Sequence, residues 1–388
     1  MIELLADQRM HPSFAHWLSC SGPRAKLFDE ASMRFTFDGQ GALHQLFRML
    51  RPTLPADARV LVPAFHCPTV VEPVLRAGFP VDFYDVCASL RRPAASWASW
   101  LTPQHRVVLA INFFGFDFEL EGLMEIPAAS RPLIVEDCSH SFLAGDGERL
   151  AGGRGDYSVF SFKKLVPCVT GGAIWRKHAS LPLPALAPSA PAEALWNHLR
   201  RVVVSSLSAS VDAWRGRPEG RVMIEEMSGP VVQPPMAQVY PFVPALSQAR
   251  MPALAKRILT HSDLPAVVAS RRRLFARIAA RLAPLREVVA QPFADDLKEA
   301  CPWGFPLLIA ERAQHDFRLR NRGVPFFTFG EQLHPSVCTE LERFPNARRL
   351  RDSMLSLPVH QQLREDQVNN FCDRVADYFS RQYDSRAA

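Results

Sequence analysis

The sequence predicts an α/β protein: a large domain with a mostly parallel central sheet, followed by a smaller C-terminal α+β domain. Three observations predict it. From about residue 36 to 175, short apolar runs alternate with helical patterns. Those runs are nearly continuous in apolar residues, as strands covered on both faces are. Beyond residue 245 the alternation gives way to one long basic helical pattern, a strand and a closing helix. A chain of 388 residues is long enough for two domains. The boundary is placed in Pro-rich sequence, giving a large domain over 1–240 and a small one over 241–388.

The elements follow from local pattern. Gly41 to Leu50 has helical spacing of its apolar residues. Arg59-Val-Leu-Val-Pro63 reads as a buried strand, Val70 to Ala77 as a helix, and Val81 to Asp85 as a strand. Arg106 to Asn112 and Leu133 to Asp137 are two further strands. Residues 178–200 are rich in Pro and Ala and read as a loop or crossing segment, and Gly229 to Pro244 as a boundary. Residues 264–284 form an amphipathic helix, Trp303 to Ile309 a strand, and residues 364–384 the last helix.

Composition narrows the function classes. Apolar content of 48% and charge of 22% are those of a globular protein. The net charge of +6 is spread out, or grouped on helical stretches such as Arg271-Arg272-Arg273, which read as solvated faces. No concentrated basic stripe with aromatic platforms is present, so no nucleic-acid partner is expected. A modest positive surplus suits an anionic substrate. Eight cysteines show no CxxC spacing, which reads as a reduced, cytoplasmic chain without structural zinc. The N-terminus lacks a basic n-region and a long apolar run, so no signal peptide is expected. No uncharged apolar run reaches membrane-spanning length, so no membrane partner is expected either. Metal-ligand spacings, a nucleophile elbow and nucleotide-binding glycine loops are all missing.

The informative stretch is Ile134-Val-Glu-Asp137-Cys-Ser-His140, then Gly155-Asp156, then Ser161-Phe-Lys-Lys164 and Gly171-Gly172. Two apolar strands end on an acid and on an amine. An acid for a pyridine nitrogen and a lysine for an aldehyde are the two parts that a pyridoxal phosphate (PLP) enzyme needs. Read alone, Asp137 is more often a strand-end cap for the next loop.

In order along the chain, these pieces resemble the DegT/DnrJ/EryC1/StrS family of PLP-dependent sugar aminotransferases, of fold type I. The other pieces are Asp38-Gly-Gln-Gly-Ala-Leu43, Val62-Pro-Ala-Phe-His-Cys-Pro68, Asn112-Phe-Phe-Gly-Phe116, Gln248-Ala-Arg250-Met251 and Leu355-Ser-Leu-Pro-Val-His360. The resemblance covers about residues 36 to 380. It implies that Asp137 pairs with the pyridine nitrogen and that Lys164 is the Schiff-base lysine, with Lys163 the alternative. Many members have two more residues between the Ser-Phe pair and the lysine. Ser161, with the backbone of Gly39, Gln40 and Gly41, would bind the cofactor phosphate at a helix N-terminus. The family usually has Ser-Gly-Thr there, so Asp38 and Gln40 are departures, and Asp38 is expected to point away from the phosphate. His140 would face the phenolic oxygen, or be a core histidine. Either His66 stacks on the ring, or Cys67 covers it. Gln248 would reach the neighbouring subunit's phosphate site, which makes the working unit at least a homodimer with shared active sites. The implied reaction moves an amino group from a small-molecule donor, by family habit L-glutamate, to a keto acceptor, by family habit a nucleotide-linked keto sugar. The alternatives are another PLP reaction on the same fold, or a non-catalytic binding or regulatory protein that keeps the fold.

Overall fold

The computed structural model describes residues 27–168, 170–186 and 242–387, together with Trp196 and Arg200. A seven-stranded sheet forms the centre of the large domain. Its strands are β1 (Met33–Thr36), β2 (Arg59–Pro63), β3 (Val81–Tyr84), β4 (His105–Ile111), β5 (Leu133–Asp137), β8 (Tyr157–Ser161) and β9 (Gly172–Arg176). A small hairpin of β6 (Leu143–Ala144) and β7 (Arg149–Leu150) lies between β5 and β8. The order across the sheet is β1-β9-β8-β5-β4-β2-β3. The pairings β2–β3, β2–β4, β4–β5 and β5–β8 are parallel. Strand β9 runs antiparallel to both β8 and β1. The expected mostly parallel sheet is present, with an antiparallel margin on one side.

Local chemistry accounts for the first helix. Helix α1 (Gly39–Leu50) begins at Asp38, whose carboxylate accepts from Gly41 N–H at 2.8 Å. Its buried face carries Leu43, Leu46, Phe47 and Leu50, at the spacing of one helical stripe. Helix α2 (Pro68–Arg76) starts on a Pro, which is preorganised for a first turn.

The C-terminal part holds a two-stranded antiparallel sheet of β10 (Gly304–Leu308) and β11 (Met354–Pro358). Helix α3 (Leu264–Leu282) packs against the closing helix α5 (Glu365–Ala387). The strand expected at residues 303–309 thus has its partner in the Leu355-to-Pro358 motif. Of the expected Pro/Ala-rich loop, residues 178–186 carry no helix or strand. Its remainder lies outside the described residues, apart from Trp196 and Arg200, and so does most of the Gly229-to-Pro244 boundary. Among the described residues no helix is long and apolar enough to cross a membrane.

One buried carboxylate ties the two parts of the chain together. Asp85, just past β3, accepts from Asn346 N–H at 2.9 Å, Asn346 Nδ2 at 3.0 Å and Ala347 N–H at 2.9 Å. These groups start helix α4 (Pro345–Ser353), so its N-terminal donors are satisfied by a residue 261 positions away in sequence. Asp85→Ala leaves those buried donors without a partner and should lower stability by about 2–4 kcal/mol, measured by thermal or urea unfolding.

Candidate active site

Strand register assembles the site. Asp137 pairs with Ile111 on one side and Val159 on the other, so β4, β5 and β8 end on the same edge of the sheet. Ser161 lies two residues beyond Val159 and pairs with Gly172, which in turn pairs with Thr36. The chain then turns at Asp38 into α1. A Cβ on Gly172 would stand 2.4 Å from the Asp38 carbonyl, so only glycine lets the start of α1 close onto the sheet. A Cβ on Gly39 would in turn be 3.1 Å from Ser161 Cβ.

The acid end is held by a cross-brace. Glu136, fully buried, accepts from Arg154 N–H at 2.8 Å and Gly155 N–H at 2.7 Å. Asp156 returns the contact by accepting from Ile134 N–H at 2.7 Å. The motif pieces Glu136 and Gly155-Asp156 therefore lock β5 to the start of β8. Asp137 is left at the strand end, buried, with one oxygen accepting from Ser139 N–H at 2.9 Å.

Lys164 closes a short 3-10 turn after Ser161. Its amine lies 5.2 Å from the centroid of the Trp303 ring. Burial pushes the amine below the ordinary lysine range, against the opposing pull of Asp137 and Cys67, and the neighbouring Lys163 lowers it further. Lys163 also acts on Asp38, which lies by the glycine turn. Burial raises the Asp38 carboxyl, while its bonds to Gly41 and Gln40 N–H and the charge of Lys163 lower it.

His140 stacks on Trp303 with ring centroids 4.0 Å apart. Its Nδ1 accepts from Phe114 N–H at 3.4 Å, which assigns the ring proton to Nε2. Burial, with the charge of Lys164, holds this histidine well below its usual range, so it is neutral. The Asn112-to-Phe116 motif serves this contact. Phe114 adopts φ 56°, in the left-handed region. Its N–H faces His140, and its carbonyl accepts from Trp303 N–H at 2.8 Å. Gly115 follows at φ +99°, where a Cβ would overlap the Cys301 carbonyl at 2.1 Å.

The structure thus brings Asp137, Lys164, His140 and Cys67 together, with Ser161, Gly39, Gln40 and Gly41 at the adjoining turn. His66 is engaged elsewhere. Its ring is fully buried against Phe83, Nδ1 donates to the Pro63 carbonyl at 2.8 Å, and Nε2 accepts from His334 N–H at 3.3 Å. Burial takes it down to about 4. Of the two ring-face alternatives, Cys67 is the one whose thiol lies within reach of the Lys164 charge. The Asp38 side chain, expected to point away from a phosphate, lies at the helix start. Its carboxylate folds back over α1, because the unpaired first N–H groups of a helix attract it. Gln248 is exposed, one residue after Ser247, whose carbonyl accepts from Gln45 of α1.

Two further residues escape the sequence reading. Trp303 reads there only as the start of a strand, yet its ring is the platform shared by Lys164 and His140. Arg271 reads as part of a solvated face, yet it is fully buried. Its guanidinium donates to the carbonyls of Lys164 at 3.3 Å, Pro302 at 2.9 Å and Val359 at 2.6 Å, and to Gln361 Oε1 at 2.9 Å. Those acceptors come from three distant stretches of chain, so no local pattern could announce them. Burial lowers its pKa to about 10, still charged at neutral pH.

The model of the DegT/DnrJ/EryC1/StrS aminotransferase family matches residues 29–181 and 249–376. The chain belongs to the DegT/DnrJ/EryC1/StrS aminotransferase family. No curated protein matches its sequence. Solved structures share the fold of this family member at low identity. The aminotransferase TlmJ from Streptoalloteichus hindustanus has a TM-score of 0.68 at 16% identity, with 99% of this chain and 100% of that chain covered. The sugar aminotransferase CalS13 from Micromonospora echinospora gives 0.61 at 18%, covering 96% and 94%. Spr1654 from Streptococcus pneumoniae, in its PLP form, gives 0.63 at 14%, covering 94% and 90%.

In this aminotransferase Arg271 braces the main chain of Lys164 and the segment that leads into Trp303. Arg271→Met strands three carbonyl acceptors in the interior. It should lower stability by roughly 3 kcal/mol, read from the unfolding midpoint.

Proposed function

We propose that this chain binds PLP at the Asp137–Lys164 edge and transfers an amino group from an amino acid, L-glutamate, to the keto group of a nucleotide-linked sugar. The observation that carries the reading is the Lys164 amine, enclosed beside Asp137 and Cys67 and set over Trp303. Family membership supports the reaction type. CalS13 is a sugar aminotransferase, which supports the acceptor class, and Spr1654 is known in PLP and PMP forms.

The residues present fit the cofactor. The Ser161 hydroxyl, on a buried residue beside Gly39, has no hydrogen-bond partner among the described residues. Trp303 Nε1, also buried, has none either. Both are donors left open at the site. When bound, PLP supplies an aldehyde that captures amines and a protonated ring that accepts electrons. Ser161 and Gly39 N–H would hold its phosphate, Asp137 the proton on its ring nitrogen, and His140 Nε2–H its phenolic oxygen. Cys67 would cover one face of the ring.

Lys164 has two tasks. Its Nζ would anchor the aldehyde carbon, which requires the neutral amine that burial favours. Once the amino donor has displaced it, the same Nζ would carry the proton to and from the substrate carbon. The stacked His140–Trp303 pair excludes water from one side of that amine. A second copy of the chain would complete each phosphate site through Gln248, which is exposed on the segment that packs against α1.

Added PLP should give purified protein a visible absorption band. Lys164→Ala should abolish it and Lys163→Ala should keep it. L-glutamate should bleach it, and a keto acceptor should restore it. Because the folded protein lowers the lysine pKa, band formation should reach its full rate at a pH below the ordinary lysine value of about 10.4. A protein that stays colourless with PLP sinks the cofactor reading. A band that ignores glutamate sinks the donor assignment.

A further inference from the structure

We propose that the Asp38 carboxylate opposes the cofactor phosphate at the start of α1 and that Lys163 offsets it, so that this chain holds its cofactor exchangeably. The inference rests on the PLP reading above.

A helix N-terminus attracts an anion because its first N–H groups lack intrahelical partners and carry the positive end of the helix dipole. At α1 that place is already served from within the chain. Asp38 Oδ1 accepts from Gly41 N–H at 2.8 Å, and Gln40 N–H also faces the carboxylate. Of the first three amides, only that of Gly39 lacks a partner among the described residues. The Ser161 hydroxyl stands beside Gly39, so a phosphate held by these two groups would be a neighbour of the carboxylate.

Two anions would then share one helix end and repel each other. The Asp38 backbone lies against Gly172 on the sheet, and its carboxylate is tied to Gly41 N–H at 2.8 Å. The resemblance places Ser at this position, which caps the same amide without charge. Two residues beyond Ser161, Lys163 is the cation that acts on Asp38. Placed there, it neutralises part of the repulsion and leaves Lys164 to the aldehyde.

The test uses the full-length, cofactor-free protein and the variants D38N, D38S and K163Q. Asn and Ser both remain good N-caps, so the helix start survives the exchange. Inorganic phosphate is titrated by calorimetry and PLP by its visible band. D38N and D38S should bind both ligands tighter, by roughly tenfold or more, and K163Q should bind both more weakly. Equal or weaker binding by D38N and D38S overturns the role of Asp38, because it is what an ordinary helix cap predicts. Unchanged binding by K163Q overturns the role of Lys163. If the wild type takes PLP and the Asp38 variants match it, this inference fails and the cofactor reading stands. If phosphate binds tighter to the variants while no protein takes PLP, the cofactor reading fails and with it the claim of cofactor exchange.

Discussion

The site depends on one constraint, the shared edge at which β4, β5 and β8 end. Parallel pairing sets Ile111, Asp137 and Val159 level, and Ser161 follows two residues on. The antiparallel return through β9 carries the same row to Gly172 and Thr36, and so to the start of α1. An acid, a hydroxyl, a lysine turn and a helix N-terminus meet because of this register. A slip of one residue in β5 or β8 would turn Asp137 or Ser161 to the opposite face.

Around that edge the protein holds polar groups in an apolar interior by bracing each from another segment. Glu136 fixes the turn before β8, and Asp156 fixes the start of β5. Asp85 starts a distant helix. Arg271 gathers acceptors from the lysine turn, the Trp303 approach and the Val359–Gln361 stretch. Each is a buried charge with several partners, the condition under which such burial is tolerated. Phe114 is the strained member, held in left-handed geometry at a cost of order 1–3 kcal/mol. The peptide groups on either side of it serve His140 and Trp303.

Much of this was legible in the sequence, for identifiable reasons. Strands β2 and β5 were readable to the residue because continuous apolar runs stop at a turn or a carboxylate. Asp137, Ser161, Lys164 and the glycines stood out because their chemistry comes at strand ends in a recognisable order. Arg271 was misread because helical periodicity reports only a helix's own face. It says nothing of carbonyls supplied by residues 164, 302 and 359. Asp38 shows a second local effect, its carboxylate capping the helix start. The resemblance directs attention to the phosphate, whereas the local rule that carboxylates cap helix starts decides where the side chain goes. His66 carried a residue type suited to stacking, but its two nitrogens and its ring are taken up by Pro63, His334 and Phe83.

The identity of the amine that would meet the aldehyde is the decisive point. Borohydride reduction of the PLP-treated protein, followed by peptide mapping by mass spectrometry, makes that bond permanent and locates it. A single pyridoxyl label on Lys164 is expected. A label on Lys163, or labels scattered over surface lysines, would contradict the assignment of Lys164.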